Sequence, residues 1–156
     1  MKNKQGVTLI ELIIAISILS IVTALSIVSY NKWQQQVFLT NQVDELKSAI
    51  SKTQQLAVAS AQDTNWGVHF EDTQYIIFAG SSYNEVDPDN EIHNLQGVTI
   101  VDYATTLSDG IGGYGPDLIF NKFTGQTNNT GTLSLMPTTN AEITQTITIY
   151  EVGQLD

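Results

Sequence analysis

The chain predicts an α+β fold: a long N-terminal α-helix, apolar in its first half, packed on an antiparallel β-sheet globular head. Three observations predict it. Val7 to Val28 is a 22-residue run with one charge, and fourteen of its residues are Ile, Leu or Val. Leu39, Val43, Leu46, Ile50, Thr53 and Ala57 then recur at steps of three and four, the stripe of a half-buried helix. From Trp66 the period changes from helical to alternating, as in half-buried strands.

As a helix, the apolar run rises about 33 Å, which matches a hydrocarbon core of roughly 30 Å. Each central Ile, Leu or Val favours insertion by about 0.3–0.6 kcal/mol, which outweighs the roughly 3 kcal/mol opposed by one acidic residue. Lys2 and Lys4 precede the run, and no basic residue comes after it until Lys32. This asymmetry keeps the N-terminus cytoplasmic and exports the chain beyond Tyr30. A secretory signal cleaved at Ala24-x-Ser26 fits less well, because that site is embedded among Leu25, Ile27 and Val28.

The helix is expected to continue to about Ala61, with Asp44, Glu45, Lys47, Lys52 and Gln55 off its buried stripe. Trp66–Phe70 and Gln74–Phe78 flank Glu71-Asp72-Thr73 as a hairpin. Val98–Tyr103, Leu118–Asn121, Thr132–Leu135 and Ile143–Tyr150 are further strands, and Ser81–Gln96 and Gly110–Pro116 read as loops. The expected organisation is a leader at 1–6, a membrane or filament-core helix at 7–30, its amphipathic continuation at 31–62 and a β-rich head at 63–156.

Composition narrows the function. The 156 residues carry a net charge of -10 and no cysteine, which removes disulfides, thiolate nucleophiles and thiolate zinc sites. From Asn31 onward four lysines face fifteen carboxylates, a balance of -11. Such a surface repels phosphate backbones, so nucleic acid is disfavoured as a partner. No nucleophile elbow, phosphate loop or dinucleotide fingerprint is present. Gly110-Ile111-Gly112-Gly113 lacks the helix that phosphate binding needs. The reading is not an enzyme.

Glu11 is the exception inside the apolar run, and an ionisable residue in a membrane span calls for a named partner. Lys4, Gln5, Gly6, Val7, Thr8, Leu9, Ile10 and Glu11 form Lys-x-x-Gly-hydrophobic-Thr-Leu-x-Glu. This resembles the processing site of type IV prepilins and type II secretion pseudopilins. The resemblance implies that a membrane prepilin peptidase cuts between Gly6 and Val7 and methylates the new amine of Val7. Val7 stands where Phe is commoner, and Val28 stands where the family often has proline. Cleavage would place an ammonium on Val7 about one helical turn from Glu11. Opposite unit charges about 4 Å apart gain about 4 kcal/mol at an effective dielectric near 20. Glu11 is therefore the candidate assembly residue, its carboxylate meeting a neighbouring subunit's amine.

The head also resembles the H-type (GspH/FimT-like) minor pseudopilins. Trp66-Gly67-Val68, Tyr75-Ile76-Ile77-Phe78, Leu118-Ile119-Phe120, Gly125, Gly131-Thr132-Leu133-Ser134-Leu135, Ile147-Thr148-Ile149-Tyr150 and Gly153 carry that likeness. Some relatives of this branch bind DNA through a basic tail, whereas the tail here is Glu151-Val152-Gly153-Gln154-Leu155-Asp156. The implied partners are prepilin peptidase, other pilin or pseudopilin subunits, an inner-membrane assembly platform and, before assembly, membrane lipid. The implied localisation is the cytoplasmic membrane with the head exported, then a periplasmic or surface filament.

Asp87, Asp89 and Glu91 lie in an oxygen-rich segment and are the calcium candidates, although the EF-hand spacing is missing and a solvated acidic loop is the preferred reading. Asp109 and Asp117 flank the glycine-rich loop. His69 and His93 are isolated, so no metal site is assigned to them. The expected function is a structural, minor subunit of a type IV pilus or type II secretion pseudopilus. The alternative is a single-pass anchored binding domain that never polymerises.

Overall fold

A computed structural model describes residues 6–156, and for 24–29 the helical backbone without the side chains. The leader residues 1–5, with Lys2 and Lys4, lie outside the described residues. The chain divides into two compact units, Met1–Val37 and Phe38–Asp156. One helix, α1 (Leu9–Val58), enters both.

In the first unit, α1 begins two residues later than the apolar run. Thr8 acts as its N-cap: the Thr8 carbonyl accepts the first helical bond from Leu12 N at 3.1 Å, and Thr8 Oγ1 accepts from Glu11 N at 3.3 Å. The described apolar side chains of this unit are exposed, from Leu9 to Val22.

The second unit is a packed α+β head. Its strands are β1 (Trp66–Phe70), β2 (Gln74–Ala79), β3 (Glu91–Asn94), β4 (Val98–Val101), β5 (Asp117–Phe120), β6 (Gly131–Pro137) and β7 (Gln145–Ile149). A four-stranded sheet runs β3-β2-β1-β5, and a three-stranded sheet runs β4-β6-β7; every pairing is antiparallel. The predicted hairpin forms, with Val68 opposite Ile77. The stripe Leu39, Val43, Leu46, Ile50, Thr53 and Ala57 is buried. Its apolar members share one core with Val68 and Phe70 of β1, Leu118 and Phe120 of β5, Leu133 and Leu135 of β6, and Ile147 and Ile149 of β7. Each fully buried Leu, Ile or Phe contributes about 1.5–3 kcal/mol of transfer free energy. That summed burial holds the Phe38–Val58 part of α1 in the head.

Three expectations need correction. The helix ends at Val58, not Ala61, because Ser60 adopts a left-handed φ of 51° and a 3-10 turn follows at Ala61–Asp63. Ser81–Gln96 is not wholly a loop: β3 forms within it by backbone pairing to β2, Tyr75 opposite His93. The strand expected through Tyr103 stops at Val101, where Asp102 takes φ 67° and a short helix, α2 (Tyr103–Thr106), begins. This helix lies so close to β6 that a Cβ on Gly131 would collide with the Thr106 carbonyl oxygen. Gly131 also has φ 152°, a region open to glycine alone.

Candidate functional site

The residues expected to serve processing and assembly lie just before and within the first turn of α1. Gly6, Val7 and Thr8 precede the helix and are exposed, so the Gly6–Val7 peptide bond lies in non-helical backbone. Thr8-Leu9-Ile10-Glu11 also has the spacing of a capping box, in which a hydroxyl caps the helix and a carboxylate stands at the third helical position. The signal was present in the sequence and assigns Thr8 a role that the charge pattern alone misses. Glu11 lies in the first turn of α1. There it complements the exposed N–H groups and the positive end of the helix dipole by about 0.3–1 kcal/mol.

Beyond Glu11 the helix is suited to an apolar medium. Ser17 Oγ donates to Ile13 O, Ser20 Oγ to Ile16 O and Thr23 Oγ1 to Leu19 O, each at 2.7 Å. The hydroxyls thus satisfy themselves on carbonyls one turn back, and water is not needed as their partner. Around them Leu9, Ile10, Leu12, Ile13, Ile14, Ile16, Ile18, Leu19, Ile21 and Val22 are 45–76% exposed. Exposed apolar side chains also occur in the head, at Val86, Ile92, Ile111 and Phe123, but there they are scattered, whereas here they follow one another along a single helix. Among the described residues no helix is long and apolar enough to cross a membrane. Positions 24–28 of the expected span Val7–Val28 lie outside the described side chains.

The calcium candidates are not brought together. Glu91 is held by Lys52, whose Nζ lies 2.9 Å from both carboxylate oxygens, and this ion pair keeps the Glu91 pKa below its ordinary value. Asp87 Oδ1 accepts from Asp89 N at 3.0 Å in a local turn. Asp109 is likewise occupied, accepting from Ile111 N at 2.9 Å and Gly113 N at 2.8 Å; these backbone donors lower its pKa. Asp117 Oδ1 lies 2.5 Å from His69 Nδ1, and the His69 ring stacks on Tyr83 at 3.9 Å. Among the described residues no cluster of three or more His, Asp or Glu could hold a metal ion. His93 stacks on the buried Tyr75 ring at 4.9 Å, a packing role.

Residues 1–27 match the family described as the prokaryotic N-terminal methylation motif. The N-terminal segment thus carries a prepilin-type methylation motif. The fold agrees with the motif. Two crystal forms of the type IV minor pilin FimU of Pseudomonas aeruginosa superpose with a TM-score of 0.53. One is 14% identical and covers 76% of this chain and 90% of that chain; the other is 13% identical and covers 76% and 86%. At that identity the likeness concerns the fold. Among curated proteins none matches. In this chain the motif and the exposed apolar helix are one continuous segment, and the α+β head comes after it.

Proposed function

We infer that the chain is a structural, minor subunit of a type IV pilus or type II secretion pseudopilus. It is made as a precursor, cut between Gly6 and Val7, methylated on Val7 and assembled through α1. The single observation that carries this reading is the methylation motif running without a break into a helix whose large apolar side chains stay exposed. Such a surface needs a lipid or protein partner, and packed copies of α1 would supply one. The partners are then prepilin peptidase, sibling subunits and an inner-membrane assembly platform. The chain is membrane-anchored first and part of a periplasmic or surface filament later.

Glu11 supplies the polar contact in that apolar layer. Its carboxylate would meet the Val7 ammonium exposed by cleavage, a gain of about 4 kcal/mol that sets subunit register. The test is mass spectrometry of the full-length chain expressed in membranes with and without a prepilin peptidase. Peptidase-dependent appearance of an N-terminus at Val7 bearing one methyl group is expected. A chain that keeps Met1 in the presence of active peptidase overturns the reading.

A further inference from the structure

Just past the apolar stretch, α1 carries a group that neither processing nor the head core uses. Tyr30 and Trp33 are 58% and 60% exposed, and their ring centroids lie 6.0 Å apart with an interplanar angle of 39°. They are three residues apart and so share one side of the helix. Between them sits Lys32, also exposed and the sole basic residue between Lys4 and Lys47. Gln34, Gln35 and Gln36 come next and end the apolar zone.

Three features converge on one occupant. Tyr and Trp are the residues whose amphipathic rings favour the boundary between hydrocarbon and water. From Val7 to Trp33 a helix rises about 39 Å, close to the roughly 40–45 Å of a bilayer with its headgroups. Lys32 is complementary to lipid phosphate. The rest of the chain after it is strongly acidic and held off such a surface, with fifteen carboxylates from Asn31 onward.

We propose that Tyr30, Lys32 and Trp33 form an interfacial anchor that seats in the exported headgroup layer of the bilayer and fixes the depth of α1 before assembly. The proposal rests on the membrane-inserted precursor described above. The anchor holds Val7 and Glu11 near the opposite face, where cleavage occurs, so that the cleavage site and the stop are set from the two ends of one rod.

The experiment uses the full-length chain in vesicles of phosphatidylcholine and phosphatidylglycerol. Lipids carry bromines either near the glycerol or near the chain terminus. The Trp33 emission is isolated by subtracting the spectrum of Trp33→Phe, which leaves Trp66 in place. Expected are a blue-shifted Trp33 emission and quenching that is stronger with the shallow bromines. Lys32→Gln should lower binding to phosphatidylglycerol-rich vesicles while leaving binding to pure phosphatidylcholine unchanged. Equal lack of quenching by both lipids, with the protein still floating with the vesicles, overturns the anchor and leaves the pilin reading intact. Deep quenching overturns it too, as does a blue shift that appears only at high protein-to-lipid ratio, the sign of a second copy on this face. Failure to float overturns both the anchor and the membrane-inserted precursor.

Discussion

Two electrostatic demands meet at Glu11. The first turn of α1 presents unsatisfied N–H groups that favour an anion, and cleavage would add an ammonium at Val7 against the same dipole. One carboxylate answers both, whereas its amide analogue answers neither by charge. Glu11→Gln is therefore expected to leave the Gly6–Val7 cut unchanged and to weaken assembly. The loss corresponds to up to about 4 kcal/mol per subunit contact. Sheared-filament recovery and site-directed crosslinking between neighbouring helices measure it; filaments formed at the parental level would refute the assigned role. Tyr75 poses a different residue-scale problem. It is 1% exposed, and among the described residues its hydroxyl has no hydrogen-bond partner. Desolvation, with Glu45 and Glu91 nearby, raises its pKa to about 12. Tyr75→Phe removes an unpaired buried polar group and is expected to stabilise the head by about 1 kcal/mol, read as a higher midpoint in urea.

At the scale of elements, the second half of α1 is held by its stripe and not by its own helix propensity. Leu46 is fully buried in the middle of that stripe. Leu46→Ala is expected to cost about 2–5 kcal/mol from lost transfer free energy and the cavity left behind. Denaturant unfolding followed by circular dichroism checks it. A loss below about 1 kcal/mol would mean that the core reorganises around α1. Strand β3 shows the opposite balance. Its residues Glu91, Ile92 and Asn94 are exposed, so apolar burial contributes little. Backbone pairing to β2, the Lys52–Glu91 ion pair and the Tyr75–His93 stack fix it. The ion pair is half-exposed and its contribution is screened, worth at most about 1 kcal/mol.

For the molecule as a whole, Tyr75 contributes to a loss of stability at alkaline pH, alongside Tyr83 and Tyr103, whose pKa values burial also raises. The folded pKa of Tyr75 lies above the unfolded value of 10, so the native state binds the proton more tightly. The associated stability is complete below pH 10 and is lost as pH rises from 10 toward about 12. The loss is on the order of 2–3 kcal/mol. Stability measured across this window should decline in the parental head, and the decline should flatten in Tyr75→Phe. An equal slope in both would assign the alkaline loss to other groups.

The division between sequence and tertiary structure reflects the range of the interactions involved. The methylation motif, the apolar run and the Leu39–Ala57 stripe are legible because each is a local pattern whose physics repeats every turn of one helix. The hairpin of β1 and β2 and the strands β5, β6 and β7 are legible for the same reason, through alternation. The capping role of Thr8 was also readable, because its partner is three residues away. The features that sequence could not decide were long-range. The end of α1 at Val58 depends on the chain reversing at Ser60 to enter the sheet. The stop of β4 at Val101 depends on α2 reaching β6 beside Gly131. The edge strand β3 depends on a neighbour, β2, with open backbone groups to pair, and the fates of Glu91, Asp109 and Asp117 depend on partners brought to them by folding. Local periodicity thus determined which segments are helix or strand, while the pairing of unsatisfied backbone and charge across the fold decided where they end and what their polar side chains do.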